Sequence, residues 1–110
     1  MAKLERSLEG DFDRVLARLH DGVLNGSMSV SYEDGSDVTM GEMRCAVRMY
    51  ERYSYMGKNR VALSVTLVGV GRQLHLTAIT AGGSQAMFFK VNTWGEEAFL
   101  DTLAAVVEDL

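Results

Sequence analysis

The chain has 110 residues, of which 47% are hydrophobic and 24% charged, with eleven glycines, one cysteine and no proline. These values predict one small soluble globular domain over residues 1–110, and they exclude proline-rich linkers and an intrachain disulfide. The formal net charge of −4 hides a basic centre: residues 1–43 hold four bases and nine acids, residues 44–90 seven bases and one acid, and residues 91–110 five acids and no base. Acidic helices and basic strands that pair within the domain, or that are solvated separately, explain the pattern most simply.

The first twenty residues carry eight charged side chains, which interrupt any apolar run of the kind a secretion signal requires. No apolar stretch approaches the roughly 20 residues that cross a membrane as a helix. We therefore expect a cytoplasmic protein without a membrane partner.

The N-terminal third predicts a strand, a helix and a second strand. Residues 3–9 alternate weakly and predict a short edge strand. Apolar residues at helical spacing predict a helix over about residues 11–22, with Asp11 and Asp13 near its positive end and with Gly22 and Asn25-Gly26 as stop signals. His20 is predicted in its last turn, where a protonated imidazole complements the dipole. Period-two alternation then predicts a strand from residue 27, ended by a turn at residues 34–37.

The middle of the chain predicts three more strands joined by short turns. The first runs to about residue 55, with Met43, Cys45, Val47 and Met49 assigned to the helix-facing side by their apolar character. The second carries Val61, Leu63, Val65 and Leu67 on one face, and the third carries Leu74 and Leu76. A further short strand is predicted over residues 86–91, after a glycine-rich connector at residues 82–85 that lacks the spacing of a phosphate-binding loop.

The C-terminal segment predicts a second helix. Thr93 and Glu96 fit a capping box, and an apolar stripe follows: Phe99, Leu100, Leu103, Val106, Val107 and Leu110. Short turns force antiparallel neighbours. The expected fold class is therefore α+β, a two-layer sandwich in which an antiparallel five- to six-stranded sheet carries an N-terminal and a C-terminal helix on one face. This order resembles a minimal helix-grip fold of the START-like superfamily.

The sequence shows no catalytic constellation. Cys45 is interpreted as a small buried hydrophobe, and His75 is assigned to the opposite side of the sheet, so the two do not form a nucleophile and base. Two unpaired histidines and one cysteine make no metal signature, and no cofactor motif is present. A non-enzymatic protein is the expectation.

A binding surface is predicted on the open face of the sheet. The ligand or interface candidates are Arg44, Arg48, Tyr50, Arg52, Tyr53, Tyr55 and His75. Arginine and tyrosine are enriched at interface cores, so a homodimer contact is ranked first. A small anionic or amphipathic ligand, on this face or between the sheet and the C-terminal helix, is ranked second. Nucleic acid is ranked third because acidic helices disfavour it.

Four segments carry a family resemblance: RCAVRMYERYS at residues 44–54, GKNR at 57–60, ITAGGSQAMFFK at 79–90 and NTWGEEAFL at 92–100. Together they resemble a family of small bacterial single-domain proteins of unknown function. The resemblance implies a bacterial cytosolic protein and carries over no functional residues.

Overall fold

A computed structural model describes residues 1–26, 29–54, 59–82, 103–108 and 110. Strand β1 (Ala2–Glu9) is followed by helix α1 (Phe12–Asn25) and by four strands: β2 (Val30–Met40), β3 (Met43–Ser54), β4 (Asn59–Val70) and β5 (Gln73–Gly82). Residues 103–108 are helical, and we call them α2. The α+β class with an antiparallel sheet is confirmed.

The five described strands form one sheet in the order β1-β5-β4-β3-β2, with antiparallel pairing between all neighbours. β1 therefore lies at an edge, as its weak alternation predicts. The turns between β2 and β3 and between β4 and β5 each contain two residues, starting with Gly41 and Gly71. Their φ angles of 59° and 60° lie in the left-handed region, which glycine adopts without steric cost.

The turn predicted at residues 34–37 is wrong, because β2 continues through these residues to Met40. The local polar composition instead accompanies a register shift between Tyr32 and Asp34. The Asp34 carboxylate accepts a hydrogen bond of 2.7 Å from the backbone N–H of Gly35. Residues typical of turns thus accompany a register shift within a long strand. The chain reverses direction only at Gly41.

The buried residues of the sheet and of the two helices form a single apolar core. Leu63, Leu67 and Leu76 are fully buried there, and each such side chain stabilises the fold by roughly 2 kcal/mol. Helix α1 contributes its apolar stripe, and α2 contributes two buried residues. The core comprises Phe12, Val15, Leu19, Val23, Ala46, Tyr50, Val61, Leu63, Val65, Leu67, Leu74, Leu76, Ala78, Leu103 and Val107.

The facing predicted for β3 is reversed in the structure. Ala46 pairs with Leu67 and Tyr50 with Leu63, so the even-numbered residues of β3 share the core face with the buried residues of β4. Met43, Cys45, Val47 and Met49 consequently lie on the open face, the one turned away from α1. A one-residue change of parity moves every side chain of a strand to the other side. Pairing with the strongly apolar β4 therefore decides which face of β3 is buried, even though the odd-numbered residues of β3 are the more apolar set.

Helix α1 begins as predicted and ends later. Asp11 is its N-cap, and the carboxylate accepts a hydrogen bond of 3.0 Å from the backbone N–H of Arg14. The predicted end at residue 22 is wrong: the helix continues through Gly22 to Asn25, with Gly26 as the C-cap. A Cβ atom at Gly22 would lie only 2.2 Å from a methyl carbon of Val106. Gly22 is therefore where α1 and α2 make close contact.

Several predicted features lie outside the described residues: the strand at residues 86–91, the capping box of Thr93 and Glu96, the first part of the C-terminal stripe, and Tyr55. Of the predicted apolar stripe, Leu103 and Val107 are buried, whereas Leu110 is 42% exposed. Neither α1 nor α2 has the combination of length and apolar character needed to span a bilayer.

We expect Gly22→Ala to lower the free energy of unfolding by about 1–3 kcal/mol, because the new methyl group clashes with Val106. Alanine is more favourable than glycine inside a helix by about 1 kcal/mol. Without the clash, the substitution would therefore stabilise the protein. Urea denaturation measures the change. Adding Val106→Ala to the Gly22→Ala protein should recover much of the loss, and a simple sum of the two single effects would contradict the close contact.

Candidate functional site

The predicted candidate residues are divided between the two faces of the sheet. Arg44, Arg48, Tyr50 and Arg52 lie on the core face, so their placement on the open face is wrong. Tyr53 and His75 do lie on the open face, where they are exposed. Because the arginines of β3 lie on the core face, the thickness of the sheet separates them from His75. Whether any of these candidates binds a partner stays a prediction.

Arg44 connects β3 to the start of α1. Its guanidinium carbon lies 4.2 Å from the centroid of the Phe12 ring, and its two terminal nitrogens donate to Asp13 at 3.0 and 2.8 Å. The paired hydrogen bonds lower the pKa of the Asp13 carboxyl and raise the pKa of Arg44. Because both groups are solvent-exposed, the pair orients side chains more than it stabilises the fold.

Arg48 is held by β2 and is much less exposed. Its Nη2 donates to the two carboxylate oxygens of Asp37 at 3.0 and 3.2 Å. Its Nη1 donates to the carbonyl oxygens of Val47 at 2.9 Å and Ser36 at 3.3 Å. The side chain is only 17% exposed, which makes this pair less screened than that of Arg44. Both terminal nitrogens of Arg48 are thus occupied within the protein.

Three rings meet beside Arg48, between α1 and the β2–β3 hairpin. The centroid of His20 lies 5.3 Å from that of Tyr32, edge to face, and 5.7 Å from that of Tyr50. The two tyrosine centroids are also 5.7 Å apart. Aromatic pairs at such separations contribute about 0.5–1.5 kcal/mol beyond their burial. The predicted role of His20 at the helix end is wrong, because α1 continues beyond it and the side chain turns to Tyr50.

The hydroxyl of Tyr50 forms a hydrogen bond of 2.8 Å with Nδ1 of His20. Tyr50 is 1% exposed, and burial raises the pKa of its hydroxyl to about 12. The phenol therefore keeps its proton, which needs an acceptor in the protein interior. Among the described residues, Nδ1 of His20 is the group that lies within hydrogen-bond distance of this hydroxyl. When the Tyr50 hydroxyl donates to Nδ1, the imidazole carries its ring proton on Nε2.

Gly35 allows Tyr32 to complete the cluster. A Cβ atom at Gly35 would lie 2.4 Å from the Tyr32 hydroxyl oxygen and 2.9 Å from the carbonyl oxygen of Val47. Any side chain would push the tyrosine away from Arg48. The glycine that suggested a turn in the sequence is thus required by the packing of Tyr32 across the strand.

A shallow, open cleft of about 340 Å³ lies between α1 and the β2–β3 hairpin. We call it the α1 cleft. It is lined by Asp13, Leu16, Ala17, His20, Tyr32 and Arg48. Its size falls in the range of small-molecule sites. Sequence reasoning missed it, because a turn at residues 34–37 would keep Tyr32 from pairing with Tyr50, as it does here, and because the predicted parity of β3 placed Arg48 on the other face.

The open face carries an apolar patch at its hairpin end. Met40, Met43 and Val70 form one cross-strand row, and Val38, Cys45 and Val68 form the next. Val47 follows in the third row. Met40 is 66%, Val70 49% and Val38 46% exposed. We call these seven residues the apolar patch. Its size was not predicted, because the odd residues of β3 were assigned to the core.

Polar side chains occupy the other part of the open face, on β1 and β5. Nε2 of His75 lies 3.5 Å from Oε1 of Glu5, and Nδ1 lies 3.5 Å from Oγ of Ser7. Thr77 donates to the same Glu5 oxygen at 3.4 Å. These long, exposed contacts do not amount to a catalytic arrangement. Cys45 and His75 share this face, contrary to prediction, but Val68 stands between them, which separates their strands by roughly 10 Å.

The segregated charges are at least partly paired within the fold. Arg44 and Arg48 belong to the basic centre of the sequence, and their partners Asp13 and Asp37 belong to the acidic N-terminal segment. A third pair joins Arg60 and Glu51 at 2.9 Å. Pairing between the basic and acidic segments therefore applies to Arg44 and Arg48, whereas the Arg60–Glu51 pair lies within the central segment. In the part of the chain that the structure describes, no group of three or more His, Cys, Asp or Glu residues is placed to hold a metal ion.

The model of a family of unknown function, DUF6054, matches residues 1–110. The chain belongs to the DUF6054 family. This confirms the resemblance to a family without an assigned activity. Among curated proteins, none matches this DUF6054 chain. The crystal structure of TTHA0849 from Thermus thermophilus is similar over 98% of this chain and 94% of that chain, with 13% identity and a TM-score of 0.36. A TM-score of 0.36 is too low to show a shared fold. The resemblance to a helix-grip fold therefore stays a prediction.

We expect the stability of this DUF6054 protein to fall between pH 10 and about pH 12. The pKa of Tyr50 is raised from 10 to about 12 in the folded state, so the fold favours the protonated phenol. This contribution is complete below pH 10 and is lost as the pH rises through the folded-state value. Chemical denaturation at stepped pH measures it. Tyr50→Phe should show a shallower decline, and an unchanged slope in that variant would contradict the assignment.

We also expect His20 to populate the tautomer protonated at Nε2. Long-range proton–nitrogen NMR spectra of the labelled protein distinguish the two tautomers directly. In Tyr50→Phe the phenol proton is absent, so both tautomers should become populated. A wild-type His20 protonated at Nδ1 would show that the Tyr50 hydroxyl is not the donor.

Proposed function

We propose that this protein acts as a self-associating domain without catalytic activity, and that two copies meet through the open face of the sheet. We further propose a two-layer arrangement, in which both helices cover the core face and leave the open face to the partner. The exposure of the apolar patch is the observation that supports this function.

The apolar patch is unusual for a surface exposed to water. Seven neighbouring side chains, none of them charged, extend across three strands; three of them are exposed and four are half-buried. Contiguous exposed apolar surface of this kind marks interaction sites on soluble domains, whereas scattered single residues do not. Methionine adds side chains that adapt their shape to a partner surface.

A twofold interface suits this surface. In an isologous dimer each copy contributes the same patch, so an uncharged surface meets itself without repulsion between like charges. The polar residues beside the patch, His75 and Thr77 among them, then form a hydrogen-bonding rim. In this arrangement His75 lies beside the proposed interface, whereas Arg44 and Arg48 lie on the core face, away from it.

Nucleic acid is a weaker candidate. Binding to a phosphate backbone needs arginine or lysine side chains available to the phosphates. Arg44, Arg48 and Arg60 are engaged with carboxylates, and the first two lie on the core face. The apolar patch contains no base. Self-association therefore agrees better with the side chains that this surface presents.

We expect the purified protein to be dimeric in light scattering and analytical ultracentrifugation. Val70→Glu should shift it to the monomer, because each interface would then bury two unpaired carboxylates. Ala81→Glu is the matched control: it adds the same charge to an exposed residue at the other end of the open face, away from the apolar patch. Circular dichroism verifies that both variants fold.

A wild-type protein that remains monomeric at every concentration would exclude the proposed function. A Val70→Glu protein as dimeric as the wild type would place the interface elsewhere on the molecule. If the Val70→Glu protein is monomeric and the Ala81→Glu protein remains dimeric, the interface lies at the apolar patch.

A further inference from the structure

We infer that the α1 cleft is a binding site for a small, planar, uncharged molecule, such as an aromatic or heteroaromatic carbonyl compound. The cleft lies on the core side of the sheet, so this inference is independent of self-association through the open face. Three properties support it: the balance of charge, the hydrogen-bonding groups that remain available, and the shape formed by helix and rings.

The charges around the cleft are neutralised before any ligand arrives. Asp13 and Arg48 line it, and each is paired with an oppositely charged group, Arg44 and Asp37 respectively. An anionic ligand would meet the Asp13 carboxylate and would have to displace Asp37 from Arg48. Removing the ligand's carboxylate from water is costly unless a cation is free to pair with it. The site therefore favours a neutral ligand, although the basic composition of β3 suggests an anion.

The hydrogen-bonding groups point to a carbonyl oxygen as the ligand's acceptor. Nδ1 of His20 lies 2.8 Å from the Tyr50 hydroxyl, so Nε2 is the ring nitrogen that remains for a ligand. With the hydroxyl as donor to Nδ1, Nε2 carries the ring proton and can donate it. The two nitrogens of an imidazole point in nearly opposite directions, so this N–H is directed away from the buried Tyr50. The Tyr32 hydroxyl forms no hydrogen bond with another described residue, and it offers a second donor or acceptor.

The walls of the α1 cleft suit a flat molecule. Leu16 and Ala17 on α1 provide one apolar side, and the ring of Tyr32, 45% exposed, provides the other. His20 is fixed edge to face against Tyr32 at 5.3 Å, so the ring wall is already ordered. A ring inserted between α1 and Tyr32 would cover apolar surface at little conformational cost. Gly35 and the register shift in β2 hold Tyr32 in this position.

The test uses the full chain and two probes with the same ring: 1-naphthamide, which is neutral, and 1-naphthoate, which is an anion. Proton–nitrogen NMR titration should show saturable shifts for the amides of Ala17, His20 and Gly35 with 1-naphthamide. We expect 1-naphthoate to bind at least about tenfold more weakly, because its carboxylate must be desolvated without a free cation.

Ala17→Leu places a larger side chain in the cleft and should weaken 1-naphthamide binding by at least about tenfold. Asp21→Leu adds the same side chain to an exposed residue of α1 that does not line the cleft, and it should leave the affinity unchanged. Both substitutions are at exposed helix residues, and denaturation curves verify their folding.

Three results would overturn the inference: no saturable shift at the cleft amides, equal or tighter binding of 1-naphthoate, or an Ala17→Leu protein that binds as well as the wild type. The inference is supported if Ala17→Leu weakens 1-naphthamide binding, Asp21→Leu does not, and the wild type binds 1-naphthamide more tightly than 1-naphthoate. The oligomeric state of the same samples is measured separately, so failure here is distinct from failure of the proposed dimer.

Discussion

The pairing of β3 with β4 is the constraint on which the rest of the structure depends. β4 carries four buried aliphatic residues, so one of its faces must meet the helices. Once Tyr50 is opposite Leu63, every second residue of β3 is committed to the same side. The arginines then reach toward α1 and β2, and the odd-numbered residues are left on the open face. Both candidate surfaces result from this single register.

Much of the fold could be predicted from the sequence, and the parts that could not have physical reasons. The facing of β4 and β5 follows from alternation, because the buried leucines there alternate with small or polar residues. Val68 and Ile79, on the open face, are among the exceptions. β3 gives a misleading pattern, since Met43, Cys45, Val47 and Met49 look more apolar than the arginines. The long stems of Arg44 and Arg48 nevertheless lie along the core edge while their charges find partners at the surface.

The candidate sites depended even more on contacts that only the tertiary structure brings together. Residues 34–37 have the composition of a turn, but here they form a strand in which Gly35 makes room for Tyr32 and Asp37 binds Arg48. The pairing of His20 with Tyr50 joins residues thirty positions apart. No local pattern reports such a contact. The two faces of the domain consequently differ in chemistry: paired charges and aromatic rings on one, apolar side chains on the other.

The tight reversals at Gly41 and Gly71 lie beside the apolar patch, at the end of the sheet that holds Met40, Met43 and Val70. Each contains two residues, and the strands that flank it are fully paired up to the turn. The backbone beneath the patch is therefore ordered before a partner arrives. A surface carried by long loops would lose backbone freedom on association, whereas this one gives up mainly side-chain rotamers. Even a modest buried area could then sustain a measurable affinity.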